Sequence, residues 1–314
     1  MTIERPGDAF LALLRDAKKT VVIISPFIKA EALKIALAEL PNACGLIVVT
    51  RWRPDEIRAG VSDIEVWNII QDRANGQLWL CDSLHAKYYR VDQSVLIGSA
   101  NLTGMGMGWR FRSNIELLRH YPFDEGMAMF EQFVITNGVQ VSSDIKNAIE
   151  AAVALLPEIN PANPSDTSLT PFVSDLSQEN QASWFPRSRW PSNLWLAYSG
   201  QTDRITTAAR EDAETDLRNI TLPIGLSEAT FHRYVASILV QQSIVVELDK
   251  YAQRGVRFGE IREALRNNRR VLTADRDSTE LLQTLIRWMT YFMPDLYEIH
   301  EQRFTEVLVR KDWK

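Results

Sequence analysis

The stretch LHAKYYRVDQSVLIGSANLTGMGMGWRFRSNIELL, residues 84–118, decides how the first half of this chain is interpreted. Two short runs within it, LHAKYYRV and SVLIGSA, predict neighbouring strands joined by a brief polar turn. Because side chains alternate between the faces of a strand, His85 and Lys87 are expected to point the same way, as are Ser99 and Asn101. One surface would then present an imidazole, an ammonium, a hydroxyl and an amide.

This set of groups suits a phosphate. Lysine and asparagine can neutralise and hydrogen-bond non-bridging oxygens, while histidine can attack phosphorus or move a proton. Asp92 is expected near the turn between the two strands. Glu116 is expected on a further strand, NIELL, where its carboxylate could hold the imidazole of His85 through the second ring nitrogen.

The spacing of these residues resembles the motif of the phospholipase D superfamily: His-x-Lys, four residues, Asp, six residues, then Gly-Ser-x-Asn. Here four residues separate Lys87 from Asp92, whereas five rather than six separate Asp92 from Gly98. This departure concerns the supporting position of Asp92 and leaves the other motif residues intact. Asn114 and Glu116 resemble the Asn-x-Glu that follows the motif in this family. The residues assigned to catalysis are His85, Lys87, Asp92, Ser99, Asn101 and Glu116.

The resemblance implies a phospholipase D-like α/β fold, with a mixed sheet sandwiched by helices. It also implies a mechanism without metal or other cofactor, in which His85 attacks the phosphodiester and forms a phosphohistidine. In this family a second motif's histidine protonates the leaving group and then activates water. The chain carries one such motif, and its other histidines, His120, His232 and His300, stand outside any such pattern. The resemblance therefore predicts a homodimer in which the two copies of His85 face each other across a two-fold axis.

Single-motif members of the superfamily resemble nucleases more than lipases, including a metal-independent restriction enzyme with a separate DNA-recognition domain. The predicted activity is accordingly DNA cleavage, with RNA less favoured, in restriction or anti-phage defence. A helicase or another defence-system subunit is a candidate partner. Two alternatives stay open: hydrolysis of a phospholipid or small phosphodiester, and an inactive protein that binds nucleic acid.

Basic and aromatic residues are interleaved in two segments that are predicted to be loops. Arg51 and Arg53 follow the apolar run GLIVVT, whereas Trp109, Arg110 and Arg112 follow the loop rich in glycine and methionine. Such side chains suit phosphate contact and base stacking. Ordinary solvated arginines beside buried tryptophans are an equally good interpretation.

The predicted domains are residues 1–156 for catalysis, a linker at 157–193 that ends in a tryptophan-rich docking segment, and a mostly helical domain at 194–314. The pattern from Ser227 to Gln253 predicts one long helix, followed by two further helices and a β-hairpin. Three helices before a hairpin is the order of a winged helix. The arginines clustered between positions 254 and 270 favour DNA binding and protein interaction about equally.

The net charge of −5 excludes a protein that is basic overall, so a polyanion would have to bind at a local patch. The amino-terminal residues lack a secretory pattern, and no run is long and apolar enough to predict a membrane span. Cys44 and Cys81, the two cysteines, flank apolar runs and are expected to be buried free thiols. We therefore expect a cytoplasmic protein without membrane contact.

Overall fold

The chain folds into two compact units, Met1–Ala154 and Leu155–Lys314. The computed structural model describes residues 5–111, 113–156, 185–220, 222–223, 225–255, 258–267, 278–302 and 305–311. Most of the predicted linker, residues 157–184, lies outside this described part. Among the residues that the structure describes, no helix has the length and apolar content needed to cross a bilayer.

The first unit is built on one seven-stranded sheet with the order β6-β5-β4-β1-β2-β3-β7. Its strands are β1 (Thr20–Ile24), β2 (Gly45–Thr50), β3 (Gly76–Leu80), β4 (Tyr88–Val91), β5 (Ser94–Gly98), β6 (Leu118–Pro122) and β7 (Val139–Gln140). Its helices are α1 (Pro6–Arg15), α2 (Ala30–Glu39), α3 (Pro54–Arg58), α4 (Val66–Gln71), α5 (Glu125–Thr136) and α6 (Ser143–Leu155). Strands β1, β2 and β3 run parallel, whereas the remaining pairs are antiparallel. The predicted α/β fold with a mixed sheet and helices is confirmed.

The central strand β1 explains why this sheet forms. Its sequence, TVVII, is β-branched throughout, and the four residues from Val21 to Ile24 are fully buried. A continuous apolar strand of this kind must be covered on both faces, which places it in the middle of the sheet between β2 and β4. The cysteines Cys44 and Cys81 are buried free thiols, as predicted.

The strand ends differ from the predicted ones around the motif. Strand β4 begins after His85 and Lys87, and β5 ends before Ser99. At the end of β5, Gly98 N–H still donates a hydrogen bond to the Lys87 carbonyl at 3.3 Å. Two residues further on, the Ala100 carbonyl accepts a hydrogen bond from the buried side-chain hydroxyl of Tyr89, at 2.6 Å. The motif residues therefore lie at the end of the sheet and not on its face.

The second unit is mainly helical. Its helices are α7 (Ser192–Tyr198), α8 (Thr207–Ile220), α9 (Glu228–Leu239), α10 (Ser243–Ala252), α11 (Phe258–Asn267) and α12 (Ser278–Phe292), with a 3₁₀ turn at Thr202–Arg204. They are followed by the antiparallel hairpin of β8 (Tyr297–Gln302) and β9 (Thr305–Arg310). The predicted hairpin is confirmed. Part of the tryptophan-rich segment is helical, because Trp195 lies within α7.

The prediction of one long helix from Ser227 to Gln253 is wrong, since the helix is interrupted between the end of α9 and the start of α10. The side-chain amide of Gln241 donates to the Ser237 carbonyl at 2.7 Å, and that of Gln242 to the Ile238 carbonyl at 3.4 Å. These amides satisfy carbonyls that a continuous helix would have used. Between Ser227 and the hairpin the structure therefore describes four helices, α9 to α12, where the sequence predicted three. A winged-helix fold for this unit stays a prediction. Of the clustered arginines, 257, 269 and 270 lie outside the described residues.

Candidate active site

A cavity of about 650 Å³ opens where β4 and β5 meet, and four motif residues line it. They are His85 and Lys87, which lead into β4, and Gly98 and Ser99 at the end of β5. The antiparallel pairing of Tyr88 with Ile97 brings these two short segments side by side. The structure therefore brings the histidine, the lysine and the serine together, as the sequence predicted, but at the end of the sheet.

Gly98 is required by the close approach of the next strand. A Cβ atom at this position would lie 1.8 Å from the carbonyl oxygen of Leu117. That carbonyl accepts from Ser99 N–H at 3.0 Å, and Leu117 N–H donates to the Ser99 hydroxyl at 3.2 Å. The glycine thus allows the segment before β6 to hold the motif serine from both its backbone and its side chain.

Glu116 is held by the neighbours of the motif and not by the imidazole. Its carboxylate accepts hydrogen bonds from the Ser99 hydroxyl and, at 3.1 Å, from the amide of Asn114. It precedes β6 instead of lying within a strand, which corrects the predicted NIELL strand. The expectation that Glu116 orients His85 is wrong for this structure, because its two oxygens are directed to Ser99 and Asn114.

Asn101 is anchored to the end of β1. Its side-chain oxygen accepts from the hydroxyl of Ser25 at 3.2 Å, and the same hydroxyl accepts from Leu102 N–H at 3.2 Å. Asn101 lies outside the cavity lining, and this contact leaves its NH₂ group as the donor. Sequence reasoning missed Ser25, a fully buried polar residue whose only signal is its place directly after an apolar strand.

The charges around His85 favour its neutral imidazole over the imidazolium. The positive charge of Lys87, followed by partial burial and the charge of Arg51, lowers the pKa of His85. Burial and then Arg51 lower the pKa of Lys87, whereas Glu116 opposes them. The Lys87 ammonium donates to the His85 carbonyl at 2.7 Å, which holds the lysine side chain against the backbone of the motif histidine. A neutral imidazole beside a cation can donate an electron pair to phosphorus.

Arg51 contacts the backbone next to His85. Its guanidinium forms an ion pair with Glu56, both of them largely buried, and donates to the Leu84 carbonyl at 3.1 Å. The bond to Leu84 fixes the residue just before His85. The predicted contact of Arg51 with substrate stays a prediction, and its observed contacts are with Glu56 and the Leu84 carbonyl.

The other predicted substrate contacts are not brought into the cavity. Arg53 forms an ion pair with Asp82 at 2.9 Å, and Arg110 forms one with Glu31. The indole of Trp109 packs so closely against α1 that a Cβ on Gly7 would lie 2.2 Å from its nitrogen. Trp109 is half-buried against α1, with its ring nitrogen enclosed, so this structure gives partial support to the buried alternative. Arg112 lies outside the described residues.

Asp92 lies at the opposite end of β4 from His85. Its carboxylate accepts from the backbone N–H groups of Lys18 at 2.7 Å, Lys19 at 2.9 Å and Thr20 at 2.9 Å. Its φ of 50° closes the β4–β5 turn in the left-handed region. The assignment of Asp92 to catalysis is therefore corrected, because it lies beyond the end of β4 that is away from the cavity, does not line the cavity, and caps β1 instead.

Helix α5 forms the far wall of the cavity, and sequence reasoning assigned it no role. Its buried Glu131 accepts from the Tyr88 hydroxyl at 2.6 Å and from Arg90 at 2.6 and 2.9 Å. Phe130 packs on the ring of Tyr88, with centroids 5.5 Å apart. The signal available in the sequence was a lone glutamate on the apolar face of this helix.

The remaining histidines each have surroundings of their own. His120 is exposed in β6, paired with Leu96. His232 packs among aromatic rings of the second unit, and His300 bonds to Glu298 at 2.7 Å. Among the residues that the structure describes, no group of three or more His, Cys, Asp or Glu side chains could hold a metal ion.

No protein-family model matches this sequence, and no curated protein matches it. The fold is similar to NucT from Helicobacter pylori, at 14% sequence identity over 43% of this chain and 89% of that chain, with a TM-score of 0.34. It is also similar to the phosphatidylserine synthase of Haemophilus influenzae Rd KW20, at 15% identity over 47% of this chain and 40% of that chain, with a TM-score of 0.36. Likenesses at these scores carry no weight in assigning an activity.

Proposed function

We propose that this protein is a metal-independent phosphodiesterase that cuts DNA through a covalent phosphohistidine on His85. The observation that carries the proposal is the cavity in which His85 lies with Lys87 and Ser99. The lowered pKa of His85 supports it, since the attacking imidazole must be neutral near pH 7. The resemblance of the motif to the phospholipase D superfamily points to the same chemistry.

The proposed reaction has two steps, formation of the covalent phosphohistidine and its hydrolysis. A lone pair of the neutral His85 imidazole forms a P–N bond, and the P–O bond to the leaving group breaks as a second imidazolium protonates that oxygen. The second imidazole, now neutral, then takes a proton from water as the water oxygen attacks phosphorus. The P–N bond breaks and returns its electron pair to His85. Lys87 offsets the charge on the non-bridging oxygens throughout.

The second imidazole is assigned to another copy of the chain. Within the described part of the first unit the other histidine is His120, and it does not line the cavity that holds His85. Large apolar side chains are exposed along the chain that leads from the motif to β6: Met105, Phe111, Ile115 and Leu117, the last of which contacts Ser99. Exposed apolar surface of this kind marks association, and a two-fold axis beside it would bring two half-sites together.

DNA is the proposed substrate because the single-motif arrangement resembles nucleases. A role in restriction or anti-phage defence, with a helicase or another subunit as partner, extends this proposal and stays a prediction. Cytoplasmic location stays a prediction as well.

The test is cleavage of single- and double-stranded DNA in excess EDTA by the full chain. We expect cleavage, a covalent phosphoryl adduct on His85 that survives peptide mapping in alkali and is lost in acid, and loss of both the cleavage and the adduct with His85→Ala. The matched control is His120→Ala, which should cut as the wild type does. Cleavage that disappears in EDTA, or survives His85→Ala, would refute the mechanism.

A further inference from the structure

The cavity beside His85 has a second side of a different chemistry. Besides the imidazole and the ammonium, its lining includes three residues with apolar side chains, Ile97, Met127 and Phe130. The mechanism described above uses none of them. A volume of about 650 Å³ falls in the range of pockets that enclose a whole organic ligand, so a phosphate alone would leave this side empty.

This apolar side is held in place by the packing of α5 on the sheet. Met127 and Phe130 are three residues apart on one face of the helix, the same face that carries Glu131 to Tyr88. Ile97 is the cross-strand partner of Tyr88 and faces the same helix. Although β5 is paired on both edges, Ile97 remains 37% exposed, because α5 leaves the cavity open above it.

The charge on this side excludes a second phosphate. Asp124 lines the cavity and caps α5, its Oδ1 accepting from Met127 N–H at 2.8 Å. A carboxylate repels a phosphate but accepts hydrogen bonds from amino and ring N–H groups. The subsite therefore fits a flat, largely apolar group that carries hydrogen-bond donors on its edge.

We propose that Ile97, Met127 and Phe130 bind an unpaired nucleobase adjacent to the phosphate that is cut, with Asp124 accepting a hydrogen bond from its edge. The flat face of a base can stack on the ring of Phe130 and contact the thioether of Met127. Its amino groups can donate hydrogen bonds to the carboxylate of Asp124. A base can enter such a pocket only when it is out of a double helix, so single-stranded DNA is the preferred form. This inference rests on the proposed nuclease activity and names its substrate more narrowly.

The experiment uses a short single-stranded oligonucleotide in which methylphosphonates replace every linkage except one. The nucleotide on the 5′ or the 3′ side of that linkage is made either normal or abasic. For the wild type, removing the base on one of the two sides should lower kcat/KM by about 5- to 150-fold, the range for loss of one stacked base. Phe130→Ala should show a similar loss on the normal substrate and cut the abasic one as the wild type does.

Two variants control for folding and position. Phe133→Ala and Met129→Ala alter side chains of the same helix that are 66% and 69% exposed and do not line the cavity, so neither should change kcat/KM. Met127→Ala should reproduce the Phe130 result if Phe130→Ala proves unstable by far-UV circular dichroism.

The outcomes separate the two proposals. If the wild type cuts but Phe130→Ala and Met127→Ala retain full preference for the normal over the abasic substrate, the subsite is refuted and the nuclease stands. If the wild type cuts no oligonucleotide and instead hydrolyses vesicles of phosphatidylcholine and phosphatidylglycerol, both proposals are refuted.

Discussion

The hydroxyl of Ser99 donates a hydrogen bond to the carboxylate of Glu116, and this pair stands beside the ammonium of Lys87. Burial and Arg51 lower the pKa of Lys87, and Glu116 opposes them. We therefore expect Glu116→Gln to lower the pKa of Lys87 further. The alkaline limb of the kcat/KM profile, where the ammonium is lost, should move to lower pH.

The pH profile of the phosphodiester cleavage measures this shift. Glu65→Gln, an exposed glutamate before α4, is the matched control and should leave the profile unchanged. An alkaline limb that stays in place with Glu116→Gln would show that the carboxylate does not act on the lysine.

Lys87 should also control the acid limb through His85. Its charge is the largest influence lowering the pKa of the imidazole, so Lys87→Gln should raise that pKa. The imidazole would then become protonated, and unable to attack, at a higher pH than in the wild type. NMR titration of the His85 ring protons in the free protein checks this without requiring activity. Lys34→Gln, on an exposed position of α2, should not move the titration, and an unchanged midpoint in Lys87→Gln would contradict the expectation.

Asp92 is expected to act on stability and not on chemistry. Burial by itself would raise the pKa of its carboxyl, but the N–H groups of Thr20, Lys18 and Lys19 outweigh it and lower the pKa. Asp92→Ala should reduce the free energy of unfolding by about 1–3 kcal/mol at pH 7. Because the folded pKa is depressed, this contribution is present above the unfolded pKa of about 3.9 and is lost as the pH falls through the folded value.

Urea unfolding of Asp92→Ala and Asp92→Asn at pH 7 and pH 3 measures this contribution. Asparagine tolerates the left-handed backbone and keeps one acceptor, so it should lose less stability than alanine. A variant with wild-type stability and no cleavage would restore Asp92 to the catalytic set.

Glu131 should be among the most sensitive positions of the first unit. Its side chain is 11% exposed and pairs with Arg90, itself 13% exposed, so removing it leaves a buried guanidinium without its partner. We expect Glu131→Ala to destabilise the protein by about 3–5 kcal/mol and to release α5 from the wall of the cavity. Thermal unfolding with Gln132→Ala as control measures this, because the neighbouring glutamine is exposed on the same helix. A loss below about 1 kcal/mol would show that α5 is held by its apolar contacts alone.

The motif and the central strands could be predicted from sequence because the information is local. The β-branched run from Thr20 to Ile24 has the composition of a buried strand wherever it is placed. Gly98 and Ser99, eleven and twelve residues after Lys87, are close enough along the chain for a hairpin to bring them back beside it. The sequence therefore sufficed to predict that His85, Lys87 and Ser99 meet at one place, whereas their catalytic role stays a prediction.

The contacts that were missed or wrongly predicted depend on distant partners. Nothing near Glu116 in sequence indicates that its oxygens bind Ser99 and Asn114 in preference to His85. The ion pair of Arg51 with Glu56 could be guessed from spacing, but its bond to the Leu84 carbonyl could not. Solvated arginine and paired arginine have the same sequence pattern, and burial alone distinguishes them.

The sequence by itself determined the residue types and the short-range geometry of the motif, because strand periodicity and hairpin length are set by neighbouring residues. Tertiary structure decided which groups share a cavity. It placed Asp92 at the far end of β4, joined Asn101 to Ser25 and brought α5 over the motif. These relations join residues about 30 to 75 positions apart, and such pairs meet only when the whole sheet and its helices pack together.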